Sequence, residues 1–365
     1  MRLSLVCQRL PASDAGAQAV RRMLQSWTVE RTLALKPRSP LVLLDAESTI
    51  EAALADLAKA RVLSAPVMAN NDCLGFFCMS DILAWLLAGL FPQLLGSELT
   101  TAPAMAAHLA ANKRAFRTDL ASWAKDGFLA EHIVRPGSDG AMTWRVFSDT
   151  TLLDIVSRGL QRKPRPCPGD FEPAHRIGVF EEDADGKLTV VGIISQSDVL
   201  RALLEDHDSL GEVGLRSVEA LFGTKPVLCV PYDMPMIAAF ALMHNTDVSG
   251  VGIVAEAGHL IGNISVSDLR AIRTAACFDR LGRPVDQFAK EAGLEHGPLT
   301  PGAAMPQVVT VGLADNLLTL MGKLVEHSLH RIYVVDGEGL PIGVVTITDI
   351  LRLFAVDPGS GMLTW

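Results

Sequence analysis

A seven-residue pattern recurs four times along the chain, and any fold the sequence adopts must use it four times over. The pattern is a glycine, two mostly apolar residues, a small residue that is usually a hydroxyl, any residue, a second hydroxyl, and an aspartate. The copies are GFFCMSD (Gly75 to Asp81), GIISQSD (Gly192 to Asp198), GNISVSD (Gly262 to Asp268) and GVVTITD (Gly343 to Asp349). Each continues into an apolar, helical-looking run: ILAWLL, VLRALL, LRAI and ILRLF.

The residues ahead of each copy repeat as well. In the last, Val308 to Val311 reads as a β-branched strand, and Asn316 to His327 carries Leu317, Leu320, Met321, Leu324 and Val325 at helical spacing. Arg331 to Val335 is a second strand, Asp336-Gly337-Glu338-Gly339 a turn, and Ile342 to Ile347 a third strand running into a helix. The unit is β-α-β-β-α, and the other three follow the same order. The third uses Pro226 to Val230, Pro235 to His244, Val251 to Ala255 and Leu260 to Ser265; the first uses Leu41 to Leu44, Thr49 to Ala60, Ala65 to Ala69 and Leu74 to Met79. The second has a strand at Trp144 to Phe147 and a helix at Leu152 to Leu160, then the insert QRKPRPCPGDFEPA before Arg176. The fold class is α/β (α+β). One such unit leaves a sheet face bare, so neighbouring units are expected to pack sheet to sheet as two tandem pairs. The chain divides into an N-terminal segment (1–39), repeat 1 (40–88), a helical insertion (89–142), repeat 2 (143–206), a linker (207–225), repeat 3 (226–275), a linker (276–304), repeat 4 (305–357) and a tail (358–365). Within the insertion, Ala104 to Phe128 looks helical.

Composition narrows the function. A chain that is 49% hydrophobic and 20% charged is ordered and globular, and with 5% aromatics its core is aliphatic. The formal charge of −9 argues against bulk attraction to nucleic acid or anionic lipid, so an anionic ligand needs a local basic cluster. Six cysteines form no CxxC pair and no metal-ligand spacing with the nine histidines; no metal site is expected, and a reducing compartment, cytoplasm or nucleus, fits. The most apolar run, Ile82 to Leu95, is broken by Gly89, Pro92 and Gln93 and is shorter than the roughly 20 residues of a membrane helix. The N-terminal apolar stretch is too short for a secretory signal. No hydrolase elbow, phosphate-binding loop, dinucleotide fingerprint or kinase signature occurs, so catalytic residues are not expected and the chain reads as a non-enzyme.

These repeats resemble the cystathionine β-synthase (CBS) domain family, whose units come in tandem pairs (Bateman modules). More closely they resemble the γ regulatory subunits of AMP-activated, Snf1-related protein kinases. LVEHSLHRIYVVD (Leu324 to Asp336) and GVVTITDILRLF (Gly343 to Phe354) carry most of that likeness, with DVSGVGIV from Asp247 and HRIGVF from His175 at the corresponding strands. The resemblance implies adenine-nucleotide binding in clefts between repeats, with AMP, ADP or ATP as regulatory ligand and no catalytic cofactor. The ribose candidates are Asp81, Asp198, Asp268 and Asp349, since an ionised carboxylate accepts both hydroxyl hydrogens of a cis-diol. Ser195, Ser197, Ser265, Ser267, Thr346 and Thr348 are candidates for ribose or phosphate oxygens near a helix N-terminus. His175, Arg176, His330 and Arg331 are the phosphate candidates. Adenine would lie in apolar slots at Ala65-Pro66-Val67, Ile177-Gly178-Val179, Val251-Gly252-Ile253 and Ile332-Tyr333-Val334. The expected partners are α-type and β-type kinase subunits, with neither nucleic acid nor membrane. The alternative is a free-standing interaction protein that regulates another enzyme.

Blander roles compete. A serine, threonine or aspartate opening a helix is ordinarily an N-cap or first-turn acid, worth about 1 kcal/mol without any ligand. The basic stretch Arg158, Arg162, Lys163 and Arg165 reads as a solvated loop, and His244, His259 and His327 as ordinary surface histidines. Repeat 1 departs from the γ pattern in having Cys78 for a hydroxyl and Leu63-Ser64 for a basic residue. Repeat 3 has Asp247 and Ser249 there, which opposes a phosphate unless an arginine crosses from another repeat. Asp349 and Asp198 therefore rank ahead of Asp81 and Asp268.

Overall fold

The computed structural model describes residues 9–36, 40–60, 62–70, 72–87, 120, 146–160, 163–164, 171–172, 175–272, 275–291 and 308–356. Most of the insertion read as helical, 89–142, lies outside them, as do most of the insert before Arg176 and the C-terminal tail.

Two helices open the chain: α1 (Ala15–Ser26), capped by Asp14, and α2 (Val29–Leu33), capped by Thr28. Unit 1 is β1 (Leu44–Asp45), α3 (Ile50–Ala60), β2 (Ser64–Ala69), β3 (Asp72–Cys78) and α4 (Met79–Trp85). In unit 2, Val146 bridges Val179 in place of a first strand, and α5 (Leu152–Asp154) follows. A minor hairpin, β4 (Lys163–Pro164) and β5 (Phe171–Glu172), precedes β6 (Arg176–Glu182), β7 (Leu188–Ser195) and α6 (Gln196–Glu205). Helices α7 (Gly211–Leu215) and α8 (Val218–Phe222) lead to unit 3, which is β8 (Cys229–Pro231), α9 (Met236–Thr246), β9 (Gly250–Val254) and β10 (Leu260–Ser265). Helix α10 (Val285–Glu291) follows, and unit 4 closes with β11 (Thr310–Val311), α11 (Leu317–Glu326), β12 (Arg331–Val335), β13 (Pro341–Thr346) and α12 (Ile347–Phe354). The first strand of a unit runs parallel to the second, and the second antiparallel to the third.

Besides the single bridge that stands for the strand read at Trp144 to Phe147, two elements differ from the sequence reading. After three residues of α5 the backbone of unit 2 widens into a π turn over Ile155–Gly159, and the Ser157 hydroxyl accepts from the Val356 N–H of unit 4. In unit 3 the run after the motif is a tight 3-10 turn, Val266–Ala271, rather than an α-helix.

The recurring glycine has a structural cause. In all four hairpins the residue just before it is bulged out of the ladder, and the glycine itself pairs opposite an apolar strand residue: Val67, Val179, Ile253 or Val334. A Cβ on Gly343 would come within 3.2 Å of Val334 Cβ. The bulge turns the strand so that its last residue becomes the N-cap of the next helix.

Sheets pack within sequence neighbours. Phe76 of unit 1 lies 3.2 Å from where a Cβ on Gly178 of unit 2 would sit, and Tyr333 of unit 4 donates to Asn263 Oδ1 of unit 3 at 2.8 Å. Helices pack the other way. Units 1 and 3 share one apolar core, and units 2 and 4 share the second, which includes Val20, Leu24 and Trp27 of the N-terminal segment. Helix α9, apolar nearly all round, is buried because it lies between units 1 and 3.

The segments between units also repeat. The N–H of Val29, Leu120, Val218 and Val285 donates at 2.8 to 2.9 Å to the carbonyl of Thr150, Ser48, Asp315 and Met234, each just before the first helix of a unit. The segment ahead of unit 1 thus completes unit 2, and the one ahead of unit 3 completes unit 4. The stretches after units 1 and 3 complete the units they follow. The second unit of each pair is therefore not whole without chain from the far side of the first. Leu24→Ala is therefore expected to destabilise the whole protein by about 2 to 5 kcal/mol, as for any sealed core leucine, read as a shift of the denaturant midpoint; a change under about 0.5 kcal/mol would mean that α1 is an appendage.

Candidate functional site

Each motif folds into the same junction between hairpin and helix. One carboxylate oxygen, Oδ2, accepts the backbone N–H of the last strand residue: Cys78 to Asp81 at 3.1 Å, Ser195 to Asp198 at 2.7 Å, Ser265 to Asp268 at 2.7 Å and Thr346 to Asp349 at 2.9 Å. The side chain of the same residue donates to the same oxygen, at 2.8, 2.6, 3.0 and 2.7 Å respectively. This is a capping box with aspartate at its third position. The capping role weighed against ligand binding is thus present in all four units. It fixes one carboxylate oxygen and leaves the other, Oδ1, turned elsewhere. In unit 2 Oδ1 is 3.4 Å from Arg201, and in unit 4 it is 3.8 Å from Lys225 Nζ.

Capping divides the hydroxyl candidates. The hydrogens of Ser195, Ser265 and Thr346 go to their own aspartates, so toward a ligand these oxygens are acceptors only. Thr348 is buried and donates to Gln196 Oε1 at 3.0 Å. Ser197 lines a cleft between units 2 and 4, together with Arg201, Leu324, Leu329, His330 and Ile347. Ser267, partly exposed, holds the matching place in unit 3.

The basic candidates meet where units 2, 3 and 4 come together. Arg176 and Arg331 open the second strand of units 2 and 4, where units 1 and 3 have Ser64 and Gly250. The Arg331 guanidinium donates to Ser249 Oγ at 2.8 Å and lies across Gly250, where there is no room for a Cβ. An arginine therefore does cross from another repeat to serve unit 3, and its field reaches Asp268. Loss of hydration holds both guanidinium groups below their ordinary range, countered by Asp198 for Arg176 and by Tyr333 and Asp268 for Arg331. Burial likewise pushes the Asp268 carboxyl up, against hydrogen bonds from Ser265 and the charges of Arg270 and Arg331. His330 is exposed on one side and faces cationic groups on the other. Lost hydration, then Arg176, His175, Arg331 and Arg270, hold its imidazole down to about 4. His175 Nδ1 lies 3.4 Å from Gln196 Oε1, the oxygen that also accepts from Thr348.

Several residues of this centre escaped the sequence reading. Gln196 occupies the motif position treated as free, yet it joins units 2 and 4 from a buried site. Arg270, two residues past Asp268, belongs to the basic group. Lys36 and Lys225 sit in stretches read as an N-terminal segment and a linker, and each approaches a motif aspartate. A signal for those stretches existed: Thr28-Val29-Glu30, Ser217-Val218-Glu219 and Pro284-Val285-Asp286 are one short pattern.

Comparison with known proteins agrees with this architecture. The CBS-domain model matches residues 33–88, 218–274 and 303–356. Over these three segments the chain is similar to the CBS-domain family. Unit 2, which carries the insert ahead of its hairpin, lies outside the matched segments. A protein named SDS23 from Phaeosphaeria nodorum is 30% identical over 51% of this chain and 37% of its own length. The SNF1-related protein kinase regulatory subunit gamma-like PV42a of Arabidopsis thaliana is 27% identical over 59% of this chain and 63% of its own length. The chain thus spans between about a third and two thirds of these curated relatives. Among solved structures, protein MJ1225 of Methanocaldococcus jannaschii, described as a candidate archaeal homologue of γ-AMPK, superposes with a TM-score of 0.60 at 16% identity. It covers 88% of this chain and 99% of that one, which establishes a shared four-unit fold.

The depressed His330 carries a sign. Its folded-state value lies below the ordinary 6.5, so the unfolded chain takes up the proton first. Its contribution to stability is full above pH 6.5 and is lost as pH falls through about 4. A proton-NMR titration is expected to place His330 well below its ordinary 6.5, and Arg176→Met to move it up. An unmoved imidazole in that variant would show that Arg176 does not act on it.

Proposed function

We propose that this chain is a non-catalytic regulatory protein that senses adenine nucleotides in the clefts between its CBS units. The observation that carries the reading is the convergence of Arg176, Arg270, Arg331, His175 and His330, drawn from three units, at the centre of a chain of net charge −9. The guanidinium groups are gathered there against their mutual repulsion, Arg176 and Arg331 at a cost in hydration, and His330 is held neutral among them. An anion entering among them relieves both. Phosphate groups suit the planar fork of arginine. Asp81, Asp198, Asp268 and Asp349, each with one oxygen held by its cap, supply an oriented acceptor for ribose hydroxyls near a helix N-terminus. AMP, ADP and ATP share the adenosine part and differ in the charge they bring to the basic centre, so one set of sites ranks them.

Regulation follows when a ligand binds two arrangements of the two unit pairs unequally. The partner in this reading is a protein kinase, with this chain as its γ-type subunit beside α-type and β-type chains, in the cytoplasm or nucleus. The similarity to the gamma-like relative supports it. The similarity to SDS23 proteins favours a second reading, a free-standing CBS protein that acts on a different enzyme. Purification of the tagged chain from its native cell separates them: stoichiometric kinase subunits support the first, and stable non-kinase partners the second.

Calorimetric titration with AMP, ADP, ATP and S-adenosylmethionine tests the sites. Removing a charged hydrogen bond worth about 1.5 to 3 kcal/mol means that Arg331→Met should weaken the preferred nucleotide by about 10- to 150-fold. Asp349→Asn is expected to weaken adenosine and AMP alike, because it removes a contact to the shared ribose. No heat with any adenosyl compound would sink the nucleotide reading.

A further inference from the structure

The motif hydroxyl just before the aspartate is followed by an arginine in three of the four units, at two different spacings. In units 2 and 4 it stands four positions on, Ser197 to Arg201 and Thr348 to Arg352; in unit 3 it stands three positions on, Ser267 to Arg270. Unit 1 has Ala84 four positions after Ser80. The local windings differ to match. Helices α6 and α12 are α-helical, where residues four apart share a face. The 3-10 turn of unit 3 winds at three residues per turn, so residues three apart lie one above the other. Val266 and Leu269 accordingly form its buried side, while Ser267 is half-buried and Arg270 is exposed. The tighter turn restores the shared face of hydroxyl and arginine that one missing residue would have broken.

Two of these pairs lie near His330. Ser197 and Arg201 line the cleft between units 2 and 4 together with that histidine. In unit 3, Ser249 accepts from Arg331, the residue after His330, and the Ser249 carbonyl accepts from the Val266 N–H at 3.0 Å. Val266 opens the turn that carries Ser267 and Arg270, and the Arg270 charge acts on the His330 imidazole. The third pair differs: Thr348 is buried and donates to Gln196, so its hydroxyl hydrogen is already used. The outer arginines also differ from Arg176 and Arg331 in their surroundings. Arg331 is pinned to Ser249, and both Arg176 and Arg331 have given up hydration. The Arg201 side chain is 43% exposed, its contact with Asp198 Oδ1 a long 3.4 Å, and Arg270 is exposed. Fixed, dehydrated arginines suit a phosphate that every ligand carries, whereas exposed ones on flexible stems can follow a chain that lengthens toward water.

We propose that Ser197 with Arg201, and Ser267 with Arg270, form an outer clasp that reads phosphate number. The inner arginines hold the phosphate common to AMP, ADP and ATP, and the outer pairs engage the phosphates that only ADP and ATP bring. The proposal rests on the nucleotide reading above and assigns the discrimination to arginines that lie past the motif aspartates.

Calorimetry on the full chain with AMP, ATP and inorganic tripolyphosphate tests this, with thermal midpoints confirming that each variant is folded. Arg201→Gln and Arg270→Gln should each weaken ATP by about tenfold and AMP by less than about twofold. The loss should shrink at high salt, because the outer arginines are exposed. Arg352→Gln, on the same face of its helix but beside a hydroxyl already used, should leave both nucleotides unchanged. If the two variants weaken AMP as much as ATP, or keep the ratio of the two affinities within about twofold of the natural chain, the clasp is overturned and the nucleotide reading stands. If no adenosyl compound binds the natural chain but tripolyphosphate does, and both variants lose it, the nucleotide reading falls and the clasp stands as a polyphosphate site. If neither nucleotide nor tripolyphosphate binds, both fall together.

Discussion

A unit of three short strands and two helices cannot cover its own apolar surfaces, and the rest of this molecule follows from that deficit. The sheet side is covered by the neighbouring unit in sequence, unit 1 on unit 2 and unit 3 on unit 4, as the Phe76 to Gly178 approach and the Tyr333 to Asn263 hydrogen bond record. The helical side is covered by a unit from the other pair, so that two apolar cores each bind a first-pair unit to a second-pair unit. Every unit is buried on two sides by different neighbours. The basic residues that open the second strands of units 2 and 4 come together with Arg270 of unit 3.

That convergence creates the electrostatic situation. Arg176 and Arg331 start equivalent strands in different pairs, where units 1 and 3 have Ser64 and Gly250, and Arg331 lies across Gly250, which has no side chain to compete for the space. Asymmetry within a pair is what lets one arginine serve two units. The depressed imidazole of His330 and the raised carboxyl of Asp268 both come from lost hydration, with the surrounding cations adding to the first and opposing the second. The motif aspartates do two jobs at once. A carboxylate has two oxygens; capping needs one and aims the other, so the structural explanation of the motif and the ligand-binding one do not exclude each other.

Much of the scaffold could be read from residue order. Arg331 to Val335 and Leu260 to Ser265 are strands over the spans that their β-branched residues and flanking turns mark. The motif glycines were visible as a repeat, whereas the bulge that explains them was not, because a bulge depends on what lies across the ladder. The π turn over Ile155–Gly159 was hidden for a related reason: it places the Ser157 hydroxyl on Val356, almost two hundred residues away. The completing turns at Val29, Val218 and Val285 were legible as a pattern, though nothing in a linear reading says that the segment before one unit finishes the next.

Taken alone, the sequence determined the number of units, their element order, the position of each capping aspartate and the pairing of adjacent sheets, because these depend on periodicity and on side chains a few residues apart. Tertiary structure decided which helices share a core, which arginine serves which unit, and which cation approaches a given aspartate. Those outcomes depend on residues that meet only after the chain has crossed between units: Arg331 with Ser249, Lys36 with Asp198 and Lys225 with Asp349. Two motifs of the same design thus meet different cations, Lys36 at 2.6 Å from the capping oxygen Oδ2 of Asp198 and Lys225 at 3.8 Å from Oδ1 of Asp349, a difference set by packing and not by the motif.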